Sequence, residues 1–200
     1  DSDAALWAVG KNEKGQLGDG SALSFRSSPI RVVEKGVVSV AVRNNQSFFV
    51  KTDGSLWSMG ANQYGKLGGG PSEDRNLPHK IRGQGVLQVD AGWDFGMFVS
   101  RDGALWGFGD NNYGQLGDGT TQTRTSPVRI LESGVEGIAL GDSFSLILKT
   151  EGSLWTMGCN QYGQLGDGTT QSRILPIQVV SAGVTSMVAA TDHALFLKSD

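Results

Sequence analysis

A glycine-rich phrase recurs four times along this chain of 200 residues and gives it a long internal period. The copies read KGQLGDG, YGKLGGG, YGQLGDG and YGQLGDG, and their first glycines are Gly15, Gly65, Gly114 and Gly163. The dipeptide Leu-Trp keeps the same spacing, with its tryptophans at Trp7, Trp57, Trp106 and Trp155. A period of roughly 20 to 50 residues is typical of solenoids, propellers and other arrays. The sequence therefore predicts four copies of one small structural unit.

Each unit contains four short segments with the composition of β-strands. The first is the β-branched run VVSVAV (37–42), the second is SFFVKT (47–52), and the third is LWSMG (56–60). An Asp-Gly or Glu-Gly dipeptide between the second and third segments predicts a two-residue hairpin turn. The fourth segment follows a proline, as in PIRVV. Proline at the first residue of a strand is tolerated chiefly at a sheet edge, so the fourth strand is predicted to be outermost.

The third segment distinguishes between architectures. Trp57 and Met59 alternate with Leu56 and the small Ser58, so neither face of this strand is suited to water. A sheet covered on both faces by its neighbours is what radially stacked, four-stranded blades require. A parallel β-helix is the competing architecture, but its rungs repeat in roughly half this length. We therefore predict an all-β fold of propeller blades, each with four antiparallel strands.

The pattern LW-x-x-G-x-N-x-x-G-Q-L-G-D-G, followed by Pro and then by V-x-x-V/I-A, resembles the regulator of chromosome condensation repeat family across the whole chain. The resemblance implies blades of the seven-bladed propeller type. Relatives that grip protein partners, including guanine-nucleotide exchange factors, imply an interaction function. The family usually has a histidine ahead of the second strand, but the chain keeps it only at His193 and has Gln46, Phe95 and Phe144 in the other copies. This departure argues against carrying over a role for that histidine.

The repeat runs through the whole chain, so we predict that residues 1–200 form a single repeat domain. The chain opens on strands three and four of one blade, contains three whole blades, and ends on strands one and two of another. Four copies of blades sized for a seven-membered ring leave the apolar faces of the end blades uncovered. We expect a fragment of a larger ring, a ring completed by another chain, or a tight four-bladed closure, and we favour the fragment. Self-association through the exposed end blades is a further expectation.

Composition and spacing argue against several classes of ligand. A net charge of −3 and a pI near 5.4 offer no basic surface, so we expect no nucleic-acid partner. The longest apolar runs are far shorter than the roughly 18 residues of a membrane span, so no membrane partner is expected. The glycine phrase is not followed by the helix that a phosphate-binding P-loop requires. It also lacks the oxygen ligands at alternate positions that a calcium-binding EF-hand loop requires. With a single cysteine, Cys159, and no Cys/His cluster, we expect neither a cofactor nor a metal.

Other residues that recur in phase are predicted to be structural. The asparagines of the glycine loops are expected to form turns, and the leucines after them to fill the gap between blades. The arginines are expected to form ion pairs or carbonyl contacts, although a ring of cationic anchors for an acidic ligand is the alternative. These residues are Asn12, Asn62, Asn111 and Asn160; Leu17, Leu67, Leu116 and Leu165; and Arg26, Arg75, Arg124 and Arg173.

Positions that differ between copies are free to serve a ligand, and they lie mainly in the turn between strands one and two. This turn is predicted to lie on the same ring face as the glycine loops. Trp93 is a large aromatic where the other turns have Asn44, Asp142 and Thr191, and it is either an interface anchor or a cap on the core. The candidate partner-binding residues are Asn44, Trp93, Asp94, Asp142, Asp192 and His193 in these turns, and Glu73 and Asp74 in the divergent loop 70–76.

Taken together, these patterns favour a noncatalytic protein-interaction module that uses one ring face. A guanine-nucleotide exchange factor-like regulator is the alternative. A hydrolase with Asp142 and Asp192 as paired carboxylates is a weaker alternative, because no Ser/His/Asp or Cys/His relay is present. We therefore expect that the protein is not an enzyme.

Overall fold

Residues 4–199 are described by a computed structural model, in which sixteen β-strands form five separate antiparallel sheets. Three sheets have four strands each and are called blades 1, 2 and 3. A two-stranded sheet precedes blade 1, and another follows blade 3; they are called the first and last half-blades. The prediction of an all-β fold with four-stranded antiparallel blades is therefore confirmed. The blades stack in sequence order as an arc.

The strand bounds follow the repeat. The first half-blade is β1 (Leu6–Lys11) and β2 (Phe25–Val33), and the last is β15 (Val184–Ala189) and β16 (Ala194–Lys198). Blade 1 is β3 (Val37–Arg43), β4 (Gln46–Lys51), β5 (Leu56–Gly60) and β6 (Arg75–Arg82), with a 3₁₀ turn at Gln63–Gly65. Blade 2 is β7 (Val86–Ala91), β8 (Phe95–Ser100), β9 (Leu105–Gly109) and β10 (Arg124–Leu131). Blade 3 is β11 (Val135–Leu140), β12 (Phe144–Lys149), β13 (Leu154–Gly158) and β14 (Arg173–Val180). Over residues 4–199, no helix has the length and hydropathy needed to cross a bilayer.

The hairpin between strands two and three is longer than the two-residue turn that the sequence predicts. In blade 1 the Gly54 N–H donates to the Lys51 carbonyl at 2.8 Å, and the Lys51 N–H donates to the Ser55 carbonyl at 3.0 Å. Gly54 has a φ of 76°. It is the left-handed residue that follows a type I turn in a three-residue hairpin loop. The Asp53 carboxylate stabilises this longer loop because it accepts a hydrogen bond from the Ser55 N–H at 2.8 Å.

The fourth strand lies at the outer edge of each blade, as predicted, but it does not begin at its proline. Strand β6 begins at Arg75, three residues before Pro78. The pairing skips at this point, because Ser58 is opposite His79 whereas Gly60 is opposite Arg75. The proline therefore lies at a β-bulge, which is the other place where a sheet tolerates a residue without an N–H group.

The hydrophobic core lies between the blades. Phe48 and Val50 of blade 1 pack against Val89 and Phe108 of blade 2. The next interface joins Met97 and Leu116 to Ile138 and Met157 in the same way. The third strands of blades 1, 2 and 3 are buried on both faces, as the alternation in LWSMG predicts.

Candidate functional site

Three of the four glycine loops after the third strands are held together by a network of asparagine, aspartate and arginine. In the second loop Gly69 replaces the aspartate, and Arg75 donates to the Gly69 carbonyl at 3.2 Å. In the first loop the Asn12 Oδ1 accepts the Leu17 N–H at 3.0 Å, and the Asn12 Nδ2 donates to Asp19 at 3.1 Å. The Arg26 Nε donates to the other oxygen of Asp19 at 2.7 Å. The same ion pair recurs as Asp118–Arg124 and Asp167–Arg173. The structural interpretation of these recurring residues is therefore confirmed.

This network also sets the ionisation of its carboxylates. Burial of Asp19 opposes its charge, but hydrogen bonds from the Ser21 N–H and from Arg26 outweigh burial and lower its pKa to about 2. The pKa of Asp118 is lowered by the same balance of burial against hydrogen bonds from Thr120 and Arg124. These groups are ionised at neutral pH, and their charge is already neutralised within the loop.

The glycines allow each loop to pack closely on the following blade. A Cβ atom at Gly65 would lie 2.5 Å from the Thr125 Cα, and one at Gly114 would lie 2.6 Å from the Ile174 Cα. Both glycines also have a φ near +70°, which only glycine adopts readily. The recurring phrase therefore serves close packing between blades, which is the structural role that the sequence analysis favours over ligand binding.

The turns between strands one and two are joined in a row by hydrogen bonds. The Asn44 Nδ2 donates to the Trp93 carbonyl at 3.4 Å. The Trp93 N–H donates to the Asp142 carbonyl at 3.2 Å, and the Asp142 N–H donates to the Thr191 carbonyl at 3.2 Å. We call the four turns, 43–46, 92–95, 141–144 and 190–193, the turn face. Three of the predicted residues, Asn44, Trp93 and Asp142, are therefore brought together, and Trp93 is 47% exposed.

Arg43 reaches across the turn face to blade 3. Its Nε donates to the Asp142 Oδ1 at 3.1 Å, and its guanidinium also contacts that oxygen through a second nitrogen. The guanidinium lies 3.5 Å from the Thr191 hydroxyl. Arg43 was missed by the sequence analysis, although its repeat counterparts are Gly92, Gly141 and Ala190. This contrast is the signal that could have identified it.

Asp94 is likewise paired with a cation. The Lys66 Nζ donates to the Asp94 Oδ1 at 2.7 Å, and the Lys66 side chain is 2% exposed. The contact joins the glycine loop of blade 1 to the turn of blade 2, which places both on one face as predicted. Lys66 was also missed, although its counterparts are Gln16, Gln115 and Gln164.

Asp90 is a further charged residue behind the turn face. Burial raises its pKa, although hydrogen bonds from the Ala91 and Leu140 N–H groups and the charge of Arg43 oppose the shift. Its Oδ2 accepts the Leu140 N–H at 2.9 Å, so the side chain links the inner strands of blades 2 and 3. Asp90 is therefore buried because its side chain forms a structural bridge between two blades.

The remaining predicted residues lie at the margins of this face. Asp192 and His193 are exposed in the turn of the last half-blade, where the Ala190 N–H donates to the His193 carbonyl at 2.9 Å. Glu73 is exposed in loop 70–76, and the Asp74 carboxylate lies 3.2 Å from the Lys14 Nζ. Asp74 and Lys14 line a cleft of about 430 Å³ between the first two glycine loops. Among residues 4–199, no group of three or more His, Cys, Asp or Glu side chains is placed to hold a metal ion.

The comparisons with known proteins agree with this arrangement. The chain is similar in structure to human WBSCR16, with 25% identity and a TM-score of 0.85, over 98% of this chain and 54% of that chain. It is similar to yeast RCC1 (Prp20) bound to Kap60, with 20% identity and a TM-score of 0.82, over 98% and 50% of the two chains. It is also similar to a second structure of Prp20p from Saccharomyces cerevisiae, with 20% identity and a TM-score of 0.80, over 98% of this chain and 52% of that chain.

The chain thus spans about half the length of these solved proteins. No curated protein sequence matches it significantly. The regulator of chromosome condensation (RCC1) repeat matches residues 53–99, 102–148 and 151–197, and a second description of the same repeat matches residues 86–115 and 135–164. The chain therefore belongs to the regulator of chromosome condensation repeat family, and its blades form part of a β-propeller.

Proposed function

We propose that the turn face binds a protein partner and that the chain acts as a noncatalytic interaction module. The observation that carries this proposal is the exposed indole of Trp93, whose backbone is hydrogen-bonded to both neighbouring turns. Tryptophan is enriched among the residues that dominate binding energy at protein interfaces. A tryptophan side chain has only two rotatable bonds, so covering it costs little conformational freedom.

The charges around Trp93 support contact through an aromatic anchor and a polar rim. Arg43 pairs with Asp142, and Lys66 pairs with Asp94, so these carboxylates are neutralised before any partner arrives. The ion pair with Arg43 also supports the noncatalytic interpretation over a hydrolase that would use Asp142. The exposed Asp192 and the amide of Asn44 supply hydrogen-bonding groups at the margin.

Two of the similar structures support a protein as the partner. Yeast RCC1 (Prp20) was solved with Kap60 bound, and the other Prp20p structure is described together with its binding to Gsp1p and histones. These proteins are about twice as long as this chain, so the choice of partner is part of the proposal.

Binding to purified candidates tests the proposal. The wild type and Trp93→Ala are each titrated with purified Gsp1p, Kap60 and histones, which are the proteins described with the similar structures. The matched control is Leu87→Ala, which removes an exposed apolar side chain near the opposite end of strand β7. We expect Trp93→Ala to weaken binding about 30-fold, which corresponds to about 2 kcal/mol, and Leu87→Ala to leave it unchanged. Equal binding of a candidate partner by the wild type, Trp93→Ala and Leu87→Ala would show that the turn face is not the binding site.

An exchange factor-like regulator is the second candidate, favoured by the described binding of Prp20p to Gsp1p. Release of a fluorescent guanine nucleotide from a small GTPase measures this activity directly. We expect binding without accelerated release if the chain is an interaction module. Acceleration that depends on Trp93 would instead assign the exchange function.

A further inference from the structure

The second glycine loop departs from the other three at positions that meet around Arg75. Gly69 replaces an aspartate, Pro71 replaces a serine or threonine, and His79 replaces a branched apolar residue. The counterparts are Asp19, Asp118 and Asp167; Ser21, Thr120 and Thr169; and Ile30, Val128 and Ile177. The second loop has therefore kept the cation of the network but has lost the anion that neutralises it.

In the other loops one edge of the arginine guanidinium holds a carboxylate oxygen. The Arg124 Nε donates to the Asp118 Oδ2 at 2.8 Å, and its Nη2 lies 2.7 Å from the same oxygen. In the second loop the Arg75 Nη2 donates instead to the Gly69 carbonyl at 3.2 Å. The Arg75 Nε is shielded from solvent and has no hydrogen-bond partner among the described residues. Because a buried donor without a partner costs stability, this edge favours an acceptor that carries negative charge.

His79 brings a second nitrogen group to the same point. A Cβ atom built on Gly69 would lie 3.0 Å from the His79 Nε2 and 3.7 Å from the Arg75 Nη2. Both nitrogens therefore lie near the position from which the aspartate side chains of the other loops extend. Burial lowers the pKa of His79, and the charge of Arg75 lowers it further. A bound anion would favour the protonated form of His79 and would neutralise Arg75.

The carboxylate that precedes Arg75 in the chain is already engaged elsewhere. The Asp74 Oδ1 accepts the Asn62 N–H at 3.0 Å, and its Oδ2 lies 3.2 Å from the Lys14 Nζ. None of the ion pairs formed within residues 4–199 includes Arg75. A negative charge for Arg75 would therefore come from outside the loop.

We propose that the Arg75 guanidinium and the His79 imidazole bind a carboxylate group of a ligand, in the place of the aspartate that the other loops supply. Residues 74–79 line a cleft of about 280 Å³, through which a small carboxylate or the end of an acidic side chain enters. The ligand does not need the position of the missing Cβ atom, beside which the His79 ring lies, because it does not start from the backbone of Gly69. Arg75 donates from its guanidinium edge to one oxygen, and the protonated His79 donates from Nε2 to the other.

Titration with sodium acetate at constant ionic strength tests the site, and acetamide is the uncharged control of the same shape. We expect acetate, but not acetamide, to shift the backbone amide NMR signals of residues 66–79, with a dissociation constant in the millimolar range. Bound acetate is also expected to raise the pKa of His79, because its charge offsets that of Arg75. The ring signal of His193, the other histidine of the chain, is the internal control. No response to acetate, an equal response to acetamide, or an unchanged pKa of His79 would each overturn the proposal.

Two variants test which groups hold the carboxylate. Arg75→Gln is expected to weaken acetate binding at least about 10-fold. The matched control is Arg101→Gln, which removes an exposed arginine from the turn after strand β8 and is expected to leave binding unchanged. Gly69→Asp with His79→Val supplies a carboxylate from within the loop, as in blade 2, and is expected to abolish acetate binding while the blade stays folded. Binding that survives either change at Arg75 or Gly69, or that is lost in the control, would contradict the assignment.

A blocked glycyl-aspartyl-glycine tripeptide distinguishes the two sources of the carboxylate. If the tripeptide binds more tightly than acetate, the ligand is an acidic side chain of a polypeptide. If it binds no more tightly, the ligand is a free small carboxylate. Trp93→Ala is expected to leave both affinities unchanged, so the result does not depend on the function proposed for the turn face.

Discussion

The Lys66 ammonium, buried beneath the turn face, lies 2.7 Å from the Asp94 carboxylate of the next blade. In the first repeat the same two positions are Gln16 and Asn45, whose amide groups are joined by a hydrogen bond of 3.0 Å. The two copies therefore fill one inter-blade contact with different chemistry. The ion pair depends more on its partner than the amide pair does, because a buried ammonium without a counter-charge is strongly destabilising.

Asp94→Ala is therefore expected to lower the free energy of unfolding by about 3 kcal/mol. The double variant Lys66→Gln/Asp94→Asn recreates the amide pair of the first repeat and is expected to stay within about 1 kcal/mol of the wild type. Urea unfolding of the wild type, Lys66→Gln, Asp94→Asn and the double variant measures the coupling, and Asp94→Ala is measured beside them. A double variant as unstable as Asp94→Ala would show that the pair is not the source of the effect.

Gly114 and Gly163 occupy the same repeat position with the same φ of 75°, but within residues 4–199 only Gly114 lies against a neighbouring strand. Alanine at Gly163 is expected to cost about 1 kcal/mol of stability, from backbone strain alone. Alanine at Gly114 is expected to cost about 2 kcal/mol more, because its Cβ would lie 2.6 Å from the Ile174 Cα. Thermal unfolding of the wild type, Gly163→Ala and Gly114→Ala measures both losses. Equal losses would show that loop docking contributes nothing.

Acid is expected to destabilise the protein between about pH 4 and pH 2. An unfolded aspartate titrates near about 3.9, whereas the folded pKa of Asp19 is about 2, so its stabilisation is present above the first value and lost as pH falls toward the second. Asp118 contributes in the same direction. Asp118→Asn is expected to be less stable at pH 7 by about 2 kcal/mol and to lose less on acidification. The free energy of unfolding of the wild type and of Asp118→Asn, measured at intervals from pH 7 to pH 2, checks both expectations. Parallel pH profiles would show that Asp118 does not contribute to the acid sensitivity.

The second glycine loop is expected to gain stability from a carboxylate. Gly69 stands where its sibling loops have aspartate, and among the described residues the Arg75 Nε has no hydrogen-bond partner. The His79 ring fills the space, since its Cδ2 would lie 2.7 Å from a Cβ at Gly69. Gly69→Asp with His79→Val, the residue of blade 2, is expected to add about 1 kcal/mol. Gly69→Asp alone is expected to add nothing because of the clash. Chemical denaturation compares the two, and a stabilised single variant would contradict this account.

The repeat made the architecture predictable. A period of about 49 residues with four strand-like segments in each unit determined the four-stranded blades and the outer position of β6, and Leu56 and Ser58 indicated burial on both faces. The local geometry was harder to predict. The hairpin length at Asp53 depends on a side-chain hydrogen bond, and the position of Pro78 depends on a bulge that no composition indicates.

The ion pairs of the turn face were not predicted, because they depend on how one blade is rotated against another. Arg43 and Asp142 are 99 residues apart, and Lys66 and Asp94 belong to different blades. A comparison of the four copies at Arg43 could have shown that it is exceptional, but not which carboxylate it meets. The predicted binding roles of Trp93 and its neighbours remain predictions until a partner is tested.

Every hydrogen-bonded strand pair described above joins strands that are consecutive in the chain. Each sheet can therefore complete its ladder from the stretch of polypeptide that has most recently left the ribosome, without waiting for distant segments. A finished blade then offers an ordered surface on which its successor can condense. Because each sheet uses only consecutive strands, blades can be added one at a time as synthesis proceeds.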